Sequence, residues 1–173
     1  MIAIGQSQHT ITLENNHLQA VFSKETGALL SLSDTRTDWA IQRRPELGRS
    51  FCLLVPLEHR RDNHVYGIDQ APPVIETVSD DTVTFTWDPV TSDYGGELPI
   101  RFTGIVRITE NDLEFTAAID NDSAYIVEAA YWPILGDLSM AAETREANWL
   151  YLTHGQHQIP LYPKFAGQAY YRS

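Results

Sequence analysis

The feature that most constrains this chain is an alternation of inward- and outward-facing residue types with a period of two, repeated over many short segments with almost no helical periodicity between them. Ile11 and Leu13 alternate with Thr10, Thr12 and Glu14, and Leu18, Ala20 and Phe22 with His17, Gln19 and Val21. Val83, Phe85 and Trp87 point one way while Thr82, Thr84 and Thr86 point the other. Such segments must each bury one face, so the pattern predicts strands whose apolar sides share one core.

Turn chemistry divides the pattern. Asn15 and Asn16 predict a two-residue turn using the tolerance of Asn for positive φ, and Lys24–Gly27 predict a second, after which Leu30 and Leu32 continue a strand ending near Asp34. Three long strands follow, over about 97–109, 112–121 and 124–132, with turns at Glu110–Asp112 and Asn121–Ser123. In the middle one, Leu113, Phe115, Ala117 and Ile119 form the expected buried face. Residues 136–148 are compatible with a helical turn or with a loop and an edge strand, and Trp149–Thr153 read as another strand. The fold class that satisfies this sequence is all-β, a two-layer antiparallel β-sandwich, with a barrel as the competing closure.

A length of 173 residues fits one domain. Twelve Lys and Arg against 23 Asp and Glu leave a formal net charge of -11, which repels nucleic acid and anionic membranes; Arg43–Arg44 and Arg60–Arg61 are too small for a phosphate-tracking stripe. Cys52 is the only cysteine, so no internal disulfide or thiolate cluster can form, and its apolar surroundings read as core. The opening MIAIGQSQHT has neither the basic start nor the apolar stretch of a leader, and a soluble, cytoplasmic chain is expected.

Two segments carry a family resemblance. LENNHLQAVFSKETGALLSLSDTRTD (13–38) has a strand ending in Phe, a Gly-containing turn and a strand ending in Ser-Leu-x-Asp. FTAAIDNDSAYIVEAAYWPILGDL (115–138) has a strand ending in an Asn-x-Ser turn and an aromatic-Pro-x-Leu-Gly run. Together they resemble the galactose mutarotase-like β-sandwich domains found N-terminal to the catalytic barrels of bacterial glycoside hydrolases. The resemblance implies a supersandwich over 1–173, an N-terminal piece of a larger enzyme whose catalytic domain is its partner.

The chemistry-bearing residues are few. The run LEHRRDNHVYGID concentrates Glu58, His59, Arg60, Arg61, Asp62, His64 and Asp69, with Tyr66 among them, in a polar loop suited to sugar contacts or to a domain interface. Asn63-His64-Val65-Tyr66 resembles the Asn-His-x-Tyr run of aldose mutarotases but lacks the Phe-Asn-Leu that follows there. His59 and His64 are five apart, a spacing that suits neither a helical nor a strand metal pair, and His154 and His157 have no third ligand nearby. Trp39 and Tyr94 lie beside acidic and glycine residues, where an aromatic ring can stack on a sugar. Trp132-Pro133 and Tyr162-Pro163 mark kinks or cis bonds.

No residue is assigned a catalytic role, no metal or cofactor is expected, and carbohydrate is the expected ligand, through Trp39, His59, Arg61, His64, Tyr66 and Tyr94. Three roles follow: an accessory domain of a glycoside hydrolase, inactive alone; a stand-alone carbohydrate-binding module; or an aldose epimerase.

Overall fold

The computed structural model describes residues 2–140, 150–154 and 157–162. Its contacts divide the chain into Met1–Leu138 and Ser139–Ser173.

In the first unit, β1 (Ala3–Gln6), β2 (Thr10–Glu14), β3 (Leu18–Ser23) and β4 (Leu29–Asp34) form an antiparallel four-stranded meander in chain order. The Asn15 turn between β2 and β3 forms without positive φ, which among the described non-glycine residues occurs at Asp38 and Ser50. Instead the Asn15 carboxamide oxygen accepts the His17 and Leu18 N–H groups, each at 2.7 Å, an Asx turn that does the work of the backbone twist. The turn at Lys24–Gly27 does need a left-handed residue. Gly27 has φ +65, and a Cβ there would stand 2.6 Å from the Trp87 ring, so the turn and the core agree on glycine.

Short pairs follow: β5 (Gln42–Arg44), β6 (Ser50–Leu54) and β7 (His64–Tyr66), then β8 (Val74–Ser79), β9 (Thr82–Trp87), β10 (Val90–Ser92) and β11 (Gly96–Leu98). The long strands β12 (Ile100–Ile108) and β13 (Leu113–Asn121) complete a second four-stranded antiparallel sheet in the order β13-β12-β9-β8. The first meander and this sheet bury their apolar faces against each other, as the alternation requires. Ile11, Leu13, Ala20 and Phe22 meet Val83, Phe85, Phe102, Val106 and Ile108, and the Phe22 and Phe85 rings lie 5.3 Å apart. Phe51 of β6 adds a third contribution, stacked on Phe102 at 4.2 Å and set edge-on to Trp87 at 4.8 Å. Full burial of each such ring contributes about 1.5–3 kcal/mol. The expected antiparallel sandwich is borne out, including the alternation in β9, where Val83, Phe85 and Trp87 are all buried.

Two expectations are corrected. Leu113, Phe115 and Ile119 face inward but are only half-buried and Ala117 is exposed, because β13 is the outer strand of its sheet and few neighbours reach over it. The strand expected over 124–132 is β14 (Ala129–Ile134), which pairs with β6 and not with β13. Residues 122–128 therefore carry the chain from one sheet to another as a loop, and the apparent alternation there is coincidental. The crossover lets the Trp132 ring pack on Gly104, where a Cβ would stand 2.6 Å from it. Trp132–Pro133 is a cis bond, as is Asp88–Pro89, a step not singled out above.

Asp137–Leu138 forms a two-residue strand, β15, paired with β5; residues 141–148 of the expected 136–148 segment, and Trp149 of the strand expected after it, lie outside the described residues. In the second unit, β16 (Leu150–His154) and β17 (His157–Tyr162) form an antiparallel hairpin that places His154 opposite His157.

Candidate functional site

The loop between β6 and β7 is organised by one buried side chain. Asn63 is fully buried; its amide donates to the Val55 carbonyl at 2.9 Å, and its oxygen accepts from the Ser92 hydroxyl at 2.8 Å. Ser92 in turn accepts the N–H groups of Tyr94 and Gly95, each at 3.2 Å. This relay ties two loops together, 55–63 and 92–96, and gives both of its own buried side chains hydrogen-bond partners. Leu57 and Arg60 close the first loop by exchanging backbone hydrogen bonds at 3.0 and 3.1 Å.

The result is a cleft of about 520 Å³ lined by Glu58, His59, Arg60, Tyr94, Gly95 and Tyr125, with Leu57 beneath. Tyr94 is 61% exposed and Tyr125 39%, so both rings present apolar surface to solvent. The Arg60 guanidinium sits 4.1 Å from the centroid of the Tyr94 ring and is paired with Asp62 at 3.1 Å, which fixes the ring's position by a cation–π contact. Two exposed aromatic rings beside a carboxylate, an imidazole and a guanidinium are the elements that grip a polyol: flat apolar faces for its C–H groups and polar groups for its hydroxyls.

The structure brings together only some of the residues singled out in the sequence. His59 and Tyr94 share the cleft. Arg61 lies on the same loop but turns aside to pair with Glu128 at 3.3 Å. His64 and Tyr66 stand together on β7, their rings nearly parallel with centroids 6.1 Å apart, and Arg49 caps Tyr66 at 4.5 Å; neither lines the cleft. The Tyr66 partner across the sheet is Cys52, whose thiol is pushed up by burial. Trp39 is in the turn after β4, also outside the cleft.

Sequence reading counted Glu58 and Arg60 in the polar candidate loop without naming them as sugar contacts, noted Asn63 only as part of the Asn-His-x-Tyr run, and missed Tyr125 and Ser92. Ser92 was detectable, since a Ser three residues ahead of Gly is a turn signature. Tyr125 was hidden by the false strand over 124–132.

The carboxylates held below their ordinary value lie elsewhere. Asp34 is held at about 2 by hydrogen bonds from Arg36, Asp81 well below the usual range by Ser79, Thr82 and Arg107, and Asp137 is lowered by Arg43 and Arg44. All three are outer-surface ion pairs. Among the described residues no group of three or more His, Cys, Asp or Glu could hold a metal ion, and no helix is long and apolar enough to cross a membrane.

No protein-family model matches the sequence, and a search of curated proteins finds no significant match. Among solved structures, the chain is similar to a 4-alpha-glucanotransferase from Thermococcus litoralis, with a TM-score of 0.50 and 15% identity over 69% of this chain and 24% of that one. It is also similar to a galactose mutarotase-like protein from Lactobacillus casei, with a TM-score of 0.46 and 18% identity over 66% of this chain and 45% of that one. The chain thus spans less than half of either protein. The likeness to the glucanotransferase bears on the fold alone.

Proposed function

We propose that this chain is a non-catalytic accessory β-sandwich of a carbohydrate-active enzyme, a glycoside hydrolase or transglycosylase, and that its cleft beside Tyr94 contacts carbohydrate. The observation that carries this reading is the Asn63–Ser92 relay. A fully buried polar pair spent on fixing two loops, each bearing exposed polar or aromatic groups, is costly to build and is explained by what the loops hold in place. The fold likeness to a glucanotransferase makes α-glucans the first sugars to test. A catalytic domain of the same polypeptide is the partner on which the sandwich would pack.

Titration calorimetry with maltose and maltohexaose tests the sugar contact. Binding in the millimolar to micromolar range, weakened by Tyr94→Ala with the thermal unfolding midpoint unchanged, is the expected result; no heat with any glucan defeats it. A second reading, the aldose epimerase, draws on Glu58 and His59 lying side by side in the cleft, the two group types such an enzyme uses as base and acid. Polarimetry on fresh α-glucose and α-galactose separates the two: the accessory reading expects no acceleration of mutarotation.

A further inference from the structure

The crossover loop places Tyr125 between two clefts. On one side is the cleft of His59 and Tyr94; on the other is an open groove of about 490 Å³ lined by Ile119, Asn121, Ile126, Glu128 and Ala130, with Tyr125 forming part of both walls. The two are joined a second time by the Arg61–Glu128 pair, which links the loop of the first cleft to the floor of the second. The loop is itself held: Asn121 donates to the Tyr125 carbonyl at 2.8 Å, and the Glu128 N–H donates to the Leu54 carbonyl at 2.9 Å. Tyr125 is therefore a held side chain common to the walls of both clefts.

We infer that the two clefts act together as a multi-unit glycan groove, in which a neutral oligosaccharide runs from Tyr94 across Tyr125 onto the surface of Ile126 and Ala130. The inference rests on the sugar-contact reading above and adds the substrate class: an extended chain, not a monosaccharide. Each cleft alone falls within the range of about 300–1,000 Å³ that takes a small ligand, so the pair has room for more than either end could hold. Ile126 is 74% exposed and gives the C–H faces of a sugar an apolar surface, while Asn121 and Glu128 supply hydrogen-bonding groups. A net charge of -11 disfavours polyanionic chains, which leaves neutral glycans as the class that fits. The Tyr125 ring that the groove shares with the aromatic cleft favours a glycan over an apolar peptide at Ile126.

The test is a calorimetric series from maltose to maltohexaose on the whole chain, with Tyr125→Ala and Ala130→Arg beside the wild type and circular dichroism to confirm folding. Wild-type affinity rises about tenfold along the series; Tyr125→Ala lowers hexaose affinity about fivefold, the loss of one aromatic contact, and Ala130→Arg abolishes the rise. If affinity is flat with chain length while maltose still binds, the extended groove is wrong and the first cleft stands. If no glucan binds, both fall. If an apolar β-strand peptide displaces nothing, the glycan assignment holds; if it competes with maltohexaose and outbinds it, the groove belongs to a polypeptide and the inference fails.

Discussion

Two buried asparagines organise the two ends of β12, and the difference between them locates the function. At the end near Ile108, Asn15 accepts two backbone N–H groups of its own turn and donates to the carbonyls of Thr109 and Glu110, at 2.6 and 3.2 Å. At the end near Ile100, Asn63 bonds Val55 and Ser92 and through Ser92 holds Tyr94 and Gly95. Both close hairpin-like loops onto the sandwich. The Asn15 site borders a small hollow with Ile2, Asn16, His17, Glu110 and Asn111 and no Tyr, Trp or Phe ring. The Asn63 site fixes the wall that carries Tyr94 and the facing loop of Glu58, His59 and Arg60. The same hydrogen-bonding device thus serves stability alone at one end and stability plus a presented surface at the other.

Substitution at each asparagine sharpens this contrast. Asn63→Leu strands the Val55 carbonyl and the Ser92 hydroxyl in the interior, and urea unfolding is expected to show a loss of about 2–4 kcal/mol together with loss of glucan binding. Asn15→Ala loses turn and cross-loop hydrogen bonds at a less buried position, for about 1–2 kcal/mol, and leaves glucan affinity unchanged. A fall in affinity for Asn15→Ala beyond its effect on stability would erase the distinction. Tyr94→Ala inverts the pattern: stability moves by less than about 0.5 kcal/mol, since the ring is mostly exposed, while affinity falls about tenfold.

The smallest effect is on the acid limb. Asp34 has a folded value of about 2, below its ordinary 3.8, so its contribution is complete above the ordinary value and is lost as pH falls through about 2. Asp81 and Asp137 are shifted in the same direction. Stability should therefore decline below pH 3.8, and Asp81→Asn should make that decline shallower in a pH series of urea midpoints. Added salt should shrink the difference, because these pairs are at the surface. None of this should alter the cleft, which lies outside the three pairs.

What the sequence made legible was the part governed by local period. The alternation in β2, β3 and β9 gives their buried faces directly, and Gly27 announces its turn. The half-covered face of β13 was not legible, because alternation states which way Phe115 points and not whether anything lies over it. The crossover at 122–128 was not legible either: Tyr125 and Val127 mimic a strand, and only the pairing of β14 with β6 shows otherwise. Of the candidate residues, His59 and Tyr94 converge because Asn63 and Ser92 bond across 29 positions of sequence, a contact that no local pattern announces. His64 and Tyr66 were grouped with them by nearness in the chain, but they follow Asn63 onto β7 and leave the loop behind.

The central claim is that a buried amide–hydroxyl relay holds two loops as a carbohydrate-contacting surface. Amide chemical-shift mapping with maltohexaose, on the wild type and on Ser92→Ala, tests it most directly. The account predicts wild-type perturbations at Glu58–Arg60, Tyr94–Gly95 and Tyr125, all lost in Ser92→Ala while the signals of β2, β3 and β9 stay in place. Perturbations centred instead on Trp39, or on His64 and Tyr66, or a response that survives Ser92→Ala intact, would contradict it.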